Sequence, residues 1–420
     1  MATTAGVGIV KPLSLSGQGV DSGLLRTAWS NDIEHEALQA EPLFASPFLT
    51  QAIDVGKDKK TKIPTDKLVM DVMPGEKAAR DIVHQFISSL SGTGKFGNAQ
   101  RVLGSEETLA LKYAKFYAND WAWGVAGESY GIDFRELSQT QIYNYCKPLL
   151  AQWRGELIGL QARQALTVGR SDELAVAPIS LAQPLNGNTF IAGLSTASQP
   201  SYDSTLATYE NSVGTLLGTG TDSTMKLNVS NILDMADYWN DKYLKHFEWN
   251  GNSLYILACH PDEFRRLHKP SETDSWASYW KDAAAIQDLN KVIPGASIVI
   301  GDQVVIVRDR RAPTLTLGGS ASDYSFTFGY MKMGRNDTRT TGRVANLNFN
   351  VNMLLGPGCL AKYEPEKPHY EEQKDEYGKY YGVGYFGACS YQLPIYDIDT
   401  PTDTSAQQET SALVFTSRAA

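Results

Sequence analysis

The segment LSQTQIYNYCKPLLAQWRGELIGLQARQAL (137–166) places Ile142, Cys146, Leu149, Leu150, Trp153, Leu157 and Leu160 at steps of three and four, the spacing of one helical face. Ser138 followed by Gln141 has the form of a capping box and gives the helix a start. Pro148 removes one backbone hydrogen bond and crowds the preceding turn, so the helix bends there or begins near it. Helical spacing returns between Asn228 and Phe247, through Ile232, Ala236, Trp239, Tyr243 and Phe247, with Asn228 or Ser230 as the cap. Residues 275–289 also read as helical.

Strands alternate with these helices. SLYILAC (253–259) is apolar on both faces, as a strand covered on both sides would be, and His260-Pro261 then opens a further helix. ASIVIGDQVVIVRD (296–309) is two apolar runs around Gly301-Asp302, which predicts a hairpin with a two-residue turn. LNFNVNM (347–353) alternates strictly, with Leu347, Phe349, Val351 and Met353 on one face and three asparagines on the other, so the second face is wet or paired. Tyrosines and glycines in 377–391 fit a closing strand or two, and apolar islands such as FIAGL, within the Gly/Ser/Thr/Asn-rich stretch 170–226, suit short strands or turns.

The remaining stretches carry no sustained period. Residues 1–60, passing on through the basic run KDKKTK (57–62), read as an extended arm; SGTGKFGN has the composition of a loop, and TPTDTSAQQETSA (400–412) that of an unpacked tail. The order of elements is mixed, α+β, with no internal repeat.

Composition narrows the function. A chain of 420 residues with 42% hydrophobic content is long enough to bury a core. Four cysteines (Cys146, Cys259, Cys359, Cys389) lie too far apart in sequence to suggest a disulfide scaffold or a zinc site, and are expected to be reduced and mostly buried. The net charge of -9, with scattered lysines and arginines, lacks the footprint of a nucleic-acid reader. No apolar run is long enough to span a bilayer, and the start of the chain lacks a signal-peptide pattern, so a cytosolic product is expected.

Chemical motifs fail one at a time. HEALQ (35–39) has Gln39 where a zinc-protease helix needs its second histidine. GTGKF (92–96) has Phe96 in place of the Ser or Thr that holds magnesium in a phosphate loop, and no strand-turn-helix elbow surrounds VDSG (20–23). Cys259 and His260 are neighbours whose side chains point apart on a strand, so a buried thiol and a helix-capping imidazole are expected. His369 beside Glu371, Glu372, Asp375 and Glu376 reads as charged surface or interface, and the aromatics of YAKFYANDWAW (113–123) as protein contacts or core. No catalytic residue, metal or cofactor is expected.

Five segments then fall in one order: GNAQRVLGSEETLALKYAKFYANDWAWGVA (97–126) with its LGSEE (103–107), DFRELSQTQIYNYCKPLLAQW (133–153), LYILACHPDEFRRL (254–267), the hairpin at 296–309, and MLLGPGCLAKYEP (353–365) with DEYGKYYGVGYFGACSYQLPIYD (375–397). That order resembles the major capsid proteins of tailed bacteriophages with the Hong Kong ninety-seven type fold, closest to the branch typified by coliphage N-four.

The resemblance implies an N-terminal arm (1–66), an extended loop with flanking strands (67–132), and a peripheral domain holding a long spine helix and a possible insertion (133–226). An axial, central domain (227–345), peripheral closing strands (346–399) and a C-terminal tail (400–420) complete it. It implies a structural protein, not an enzyme, that self-assembles into hexamers and pentamers forming an icosahedral head. That head encloses double-stranded DNA without sequence-specific binding. Scaffold, decoration and portal proteins are candidate further partners, no membrane is involved, and the protein is expected in the virion after assembly in the host cytoplasm. Candidate inter-subunit residues are Lys95, Phe96, Arg101, Glu106, Glu107, Trp121 and Trp123. Another virion protein, tail or adhesin, and an intracellular hydrolase are the rival classes.

Overall fold

The computed structural model describes residues 22–45, 68–72, 81–87, 111–126, 139–168, 189–191, 226–241, 246–249, 252–267, 296–301, 303–317, 324–328, 331–335, 347–375, 380–393 and 411–417. They form two bodies, each a sheet with helices against it.

The first body is built on a four-stranded sheet in the order β1 (Val69–Val72), β14 (Leu360–Asp375), β15 (Tyr380–Gln392), β4 (Asn119–Ala126). Against it lies α3 (Gln139–Val168), the predicted long helix, which runs unbroken through Pro148. Ile142, Cys146 and Leu150 are buried in its core with Trp29, Tyr370 and Tyr385. Leu149 does not join them. Adjacent helical residues sit about 100° apart, so Leu149 and Leu150 cannot share a face, and Leu149 stands 56% exposed. In β14, the register shifts twice against β15, around Pro365 and Pro368, where proline cannot donate to the ladder.

The stretch read as an extended arm contains a 19-residue helix, α1 (Ser22–Ala40), followed by the short α2 (Pro42–Ala45). Among its described side chains Trp29, Ile33 and Ala37 form the apolar stripe, with buried Ser30 beside them, and the acids Asp32, Glu34 and Glu36 meet cations of α3. A half-ionic interface leaves little hydrophobic periodicity, which is why the sequence pattern is silent there. The two helices run parallel, because Asp32 meets Lys147 while Glu41 meets Arg163. They touch at Gly155, where an added Cβ would lie 2.7 Å from the Ala40 Cβ and 2.8 Å from the Ala37 carbonyl.

The run from Leu111 to Ala126 changes partner midway. β3 (Leu111–Tyr117) pairs with β2 (Asp81–Ile87) as a two-stranded ribbon, and after Ala118 β4 enters the four-stranded sheet. The loop tip, SGTGKFGN, and LGSEE lie outside the described residues, as do 275–289.

The second body is a ten-stranded sheet whose hub is β13 (Leu347–Leu355). One edge of β13 takes β10 (Thr314–Leu317) on its first half and β7 (Asn252–Cys259) on its second. Beyond β10 lie β11 (Tyr324–Phe328) and β12 (Met331–Arg335); beyond β7 lie β9 (Val304–Arg308), then β8 (Ala296–Ile300). The other edge of β13 takes β16 (Ser411–Ser417), which in turn pairs with β5 (Thr189–Ile191). Within the stretch 400–420 read as a tail, Ser411–Ser417 is therefore sheet, with Ala412, Leu413 and Val414 fully buried, while 400–410 lie outside the described residues. The asparagine face of β13 is the paired kind. Asn352 accepts from the His260 N–H at 2.8 Å and donates to the Val414 carbonyl, and Asn350 donates to Glu263.

Two boundaries differ from the sequence reading. Helix α4 (Val229–Asp241), capped by Asn228 Oδ1 on the Asn231 N–H at 2.7 Å, stops before Phe247. Phe247 instead opens β6 (Phe247–Trp249), whose Trp249 pairs with Asn252 of β7 across Asn250-Gly251, the strongest short hairpin signal in sequence. The β8–β9 hairpin pairs Ile300 with Val304, so its connection has three residues, with Gly301 at φ +58°. Helix α5 (Pro261–Leu267) follows β7 as expected, its Asp262 N–H donating to His260 Nδ1 at 3.3 Å.

Candidate interaction surface

Trp121 and Trp123 are two apart on β4 and so project from one face of the strand, toward α3. Both meet Trp153 of the helix: Trp121 tilted at 5.8 Å between ring centroids, Trp123 stacked at 5.4 Å with 14° between planes. Trp121 is the inner one. It is buried beside Tyr385 and covered by the Arg154 guanidinium at 4.1 Å, so it belongs to the chain's own core. Trp123 lies at the rim and is 53% exposed.

The rim continues along α3. Leu149 is four residues before Trp153 and Tyr145 four before that, which puts the three on one stripe. Tyr145 is 54% exposed, and with Trp123 and Leu149 it completes the set of large exposed apolar side chains among the described residues. Beside the stripe, β4 pairs with β15 on one edge only; among the described residues no strand covers the other. An open strand edge next to an aromatic rim can accept an extended segment from another chain, main chain to main chain and side chain to rim.

Buried charge underpins this surface. Arg154 is fully buried, donates to Glu34 of α1 at 3.2 Å, and sits 3.7 Å from the Cys389 sulfur. Tyr385 donates to the same Glu34 carboxylate at 3.1 Å. Nearer the stripe, Lys147 pairs with Asp32 at 2.7 Å and with Glu36 at 2.6 Å, and Tyr143 donates to Asp32 at 2.7 Å while stacking on Trp29. Burial pushes the Asp32 carboxyl upward, but hydrogen bonds from Lys147 and Tyr143 and the Lys147 charge outweigh it and hold the pKa below the ordinary value. A carboxyl depressed on folding contributes stability above its unfolded pKa and loses it as pH falls through the folded one. Acid unfolding of Asp32→Asn is therefore expected to show a shallower limb below about pH 4 than the parent, by circular dichroism against pH; parallel curves would contradict the Asp32 contribution.

Of the sequence candidates, Lys95, Phe96, Arg101, Glu106 and Glu107 lie outside the described residues. Tyr145 and Leu149 were missed; the spacing that makes a helix also assigns Leu149 to the core, and nothing in the letters separates it from Leu150. His35 and Gln39 hydrogen-bond each other on the exposed face of α1. His260 caps α5, and His369 stacks on Phe386 with Glu366 and Glu371 nearby. All four cysteines are free and buried. No helix among the described residues is long and apolar enough to cross a membrane.

No family model matches the chain, and no curated protein matches its sequence. Solved structures do match. The capsid of Ralstonia phage GP4 superposes with a TM-score of 0.53 and 15% identity, over 84% of this chain and 88% of that one. The acid-stable capsid of Helicobacter pylori bacteriophage KHP30 does so with a TM-score of 0.50 and 12% identity, again over 84% and 88%. The chain therefore has the α+β fold of phage capsid proteins.

Proposed function

We propose that this chain, built on the capsid fold, is the major capsid protein of a tailed phage and has no catalytic role. Its copies gather into hexamers and pentamers and close into an icosahedral head around double-stranded DNA. The observation that carries this reading is the likeness to phage capsids over most of both chains. The open edge of β4 and the rim of Trp123, Tyr145 and Leu149 supply a surface for the neighbouring copy, and the β2–β3 ribbon supplies a segment that can reach one. The net charge of -9 favours enclosing DNA over gripping it. The order of the five sequence segments supports the coliphage N-four branch. The protein resides in the virion after assembly in the host cytoplasm, where scaffold, decoration and portal proteins are candidate partners.

Sedimentation velocity tests the surface. The parent is expected to give multi-copy species that grow with concentration. Trp123→Ser combined with Leu149→Ser is expected to keep the parent's circular dichroism and thermal midpoint, because both side chains are half exposed. Its assembly should weaken by at least about tenfold, since truncating a central aromatic typically costs about 2 kcal/mol and the loss repeats at every contact. A double variant that assembles as the parent does would remove this surface from the interface.

A further inference from the structure

Four charges from three separate parts of the chain meet where the two bodies touch. Arg163, near the end of α3, is buried and uses four of its five N–H donors: Nε donates to Asp309 at 2.8 Å, Nη2 to Asp309 at 2.5 Å and to Glu41 at 2.8 Å, and Nη1 to the Gly159 carbonyl at 2.8 Å. Glu41 lies between α1 and α2, and its other oxygen accepts from Arg311 at 2.7 Å. Arg311 also donates to the Gly155 carbonyl of α3 at 3.1 Å. At Gly159 an added Cβ would press on the ends of both Glu41 and Arg163, which would have to shift.

The anchor on the other side is rigid. Asp309 follows β9, and its N–H donates to the Cys259 carbonyl at the end of β7, which ties the carboxylate to the middle of the large sheet. Among the described residues the seam around the cluster is thin: α3 touches β16, and the direct chain connection there is the turn from Gly356 to Cys359, with Gly358 at φ +65°. Elsewhere each body keeps its own apolar core. Buried, fully paired charges at a thin seam favour one arrangement over its alternatives, because any rotation separates the fork from both carboxylates.

We infer that the Glu41–Arg163–Asp309–Arg311 cluster is the lock that fixes the angle between the two bodies, and, on the capsid reading above, that this angle sets the curvature of the shell. The test uses the full chain with spin labels on Gln152→Cys of α3 and Arg265→Cys of α5, both exposed, while the four native cysteines are buried. Pulsed electron resonance on subunits diluted with unlabelled protein reads the distance between the bodies. The parent and the exposed neighbour control Arg310→Gln should give one narrow distribution. Asp309→Asn and Arg311→Gln should each widen it by at least about twofold, as an unlocked hinge does.

Should Asp309→Asn fail to fold, Arg311→Gln decides, because the Arg311 side chain is already 32% exposed. Folded variants with the parent's distribution overturn the lock, whether or not any shell forms. A widened distribution with unchanged particle diameters overturns the link to curvature, and a parent that never assembles counts against the capsid reading while leaving the lock to the distance measurement.

Discussion

A chain ending at Thr410 is expected to be insoluble or unfolded. The segment it lacks, β16, covers most of one edge of β13 through seven residue pairs, from Phe349 with Ser417 to Leu355 with Ser411. It also carries β5 through Leu413, Val414 and Phe415. Burying Leu413 and Val414 stabilises by about 1.5–3 kcal/mol each. Each backbone hydrogen bond lost from the buried edge of β13 adds roughly 1 kcal/mol. Together these approach the roughly 5–15 kcal/mol that separates a folded protein from its unfolded state. Leu413→Ala, with the strand retained, is expected to lose about 2–5 kcal/mol in urea unfolding, as core truncations do. A soluble truncated chain with the parent's unfolding midpoint would mean that β16 does not hold the sheet.

Arg154→Ala is expected to be the most destabilising single substitution in the first body, by about 3–5 kcal/mol, the usual consequence of leaving one partner of a buried ion pair alone. Arg154 holds α1 through Glu34, lies over Trp121, touches Cys389 and sits 3.8 Å from Glu364. Its loss leaves Glu34 without the cation while Tyr385 still donates to it, and opens a cavity under the indole. Arg154→Lys should recover only part of the loss, because an ammonium is a point charge and cannot reproduce a flat fork stacked on a ring. Equilibrium urea unfolding followed by tryptophan fluorescence measures both. A Lys variant as stable as the parent would show that charge alone matters there, and an Ala variant within about 1 kcal/mol would show that Arg154 is dispensable.

What was legible in the sequence were the elements whose burial is one-sided and local. Ile142, Cys146 and Leu150 announced α3, the alternation of 347–353 announced β13, and the apolar run ending at His260-Pro261 announced β7 and α5. Elements held by charge or by distant partners were silent. Helix α1 and the residue after it dock through Asp32, Glu34 and Glu41, which look like solvent-facing acids until Lys147, Arg154 and Arg163 are placed opposite. Strand β16 is a short apolar run at the end of a polar stretch, and only the free edge of β13 makes it sheet. The β6–β7 hairpin was hidden by a helical period that ran on to Phe247.

The interaction surface was half legible for the same reason. Trp121 and Trp123 are the same residue type two apart, and their letters do not say that Arg154 covers one and leaves the other at the rim. The contact that separates them spans from α3 to Cys389 at the far end of β15, a relation between distant parts of the chain that no local pattern carries.

Electron microscopy of the chain expressed alone, across protein and salt concentration, and again with its candidate scaffold partner, tests the central claim most directly. The capsid reading predicts closed shells, or rings of five and six copies that close when the partner is present. A stable monomer with no larger species under either condition would contradict it.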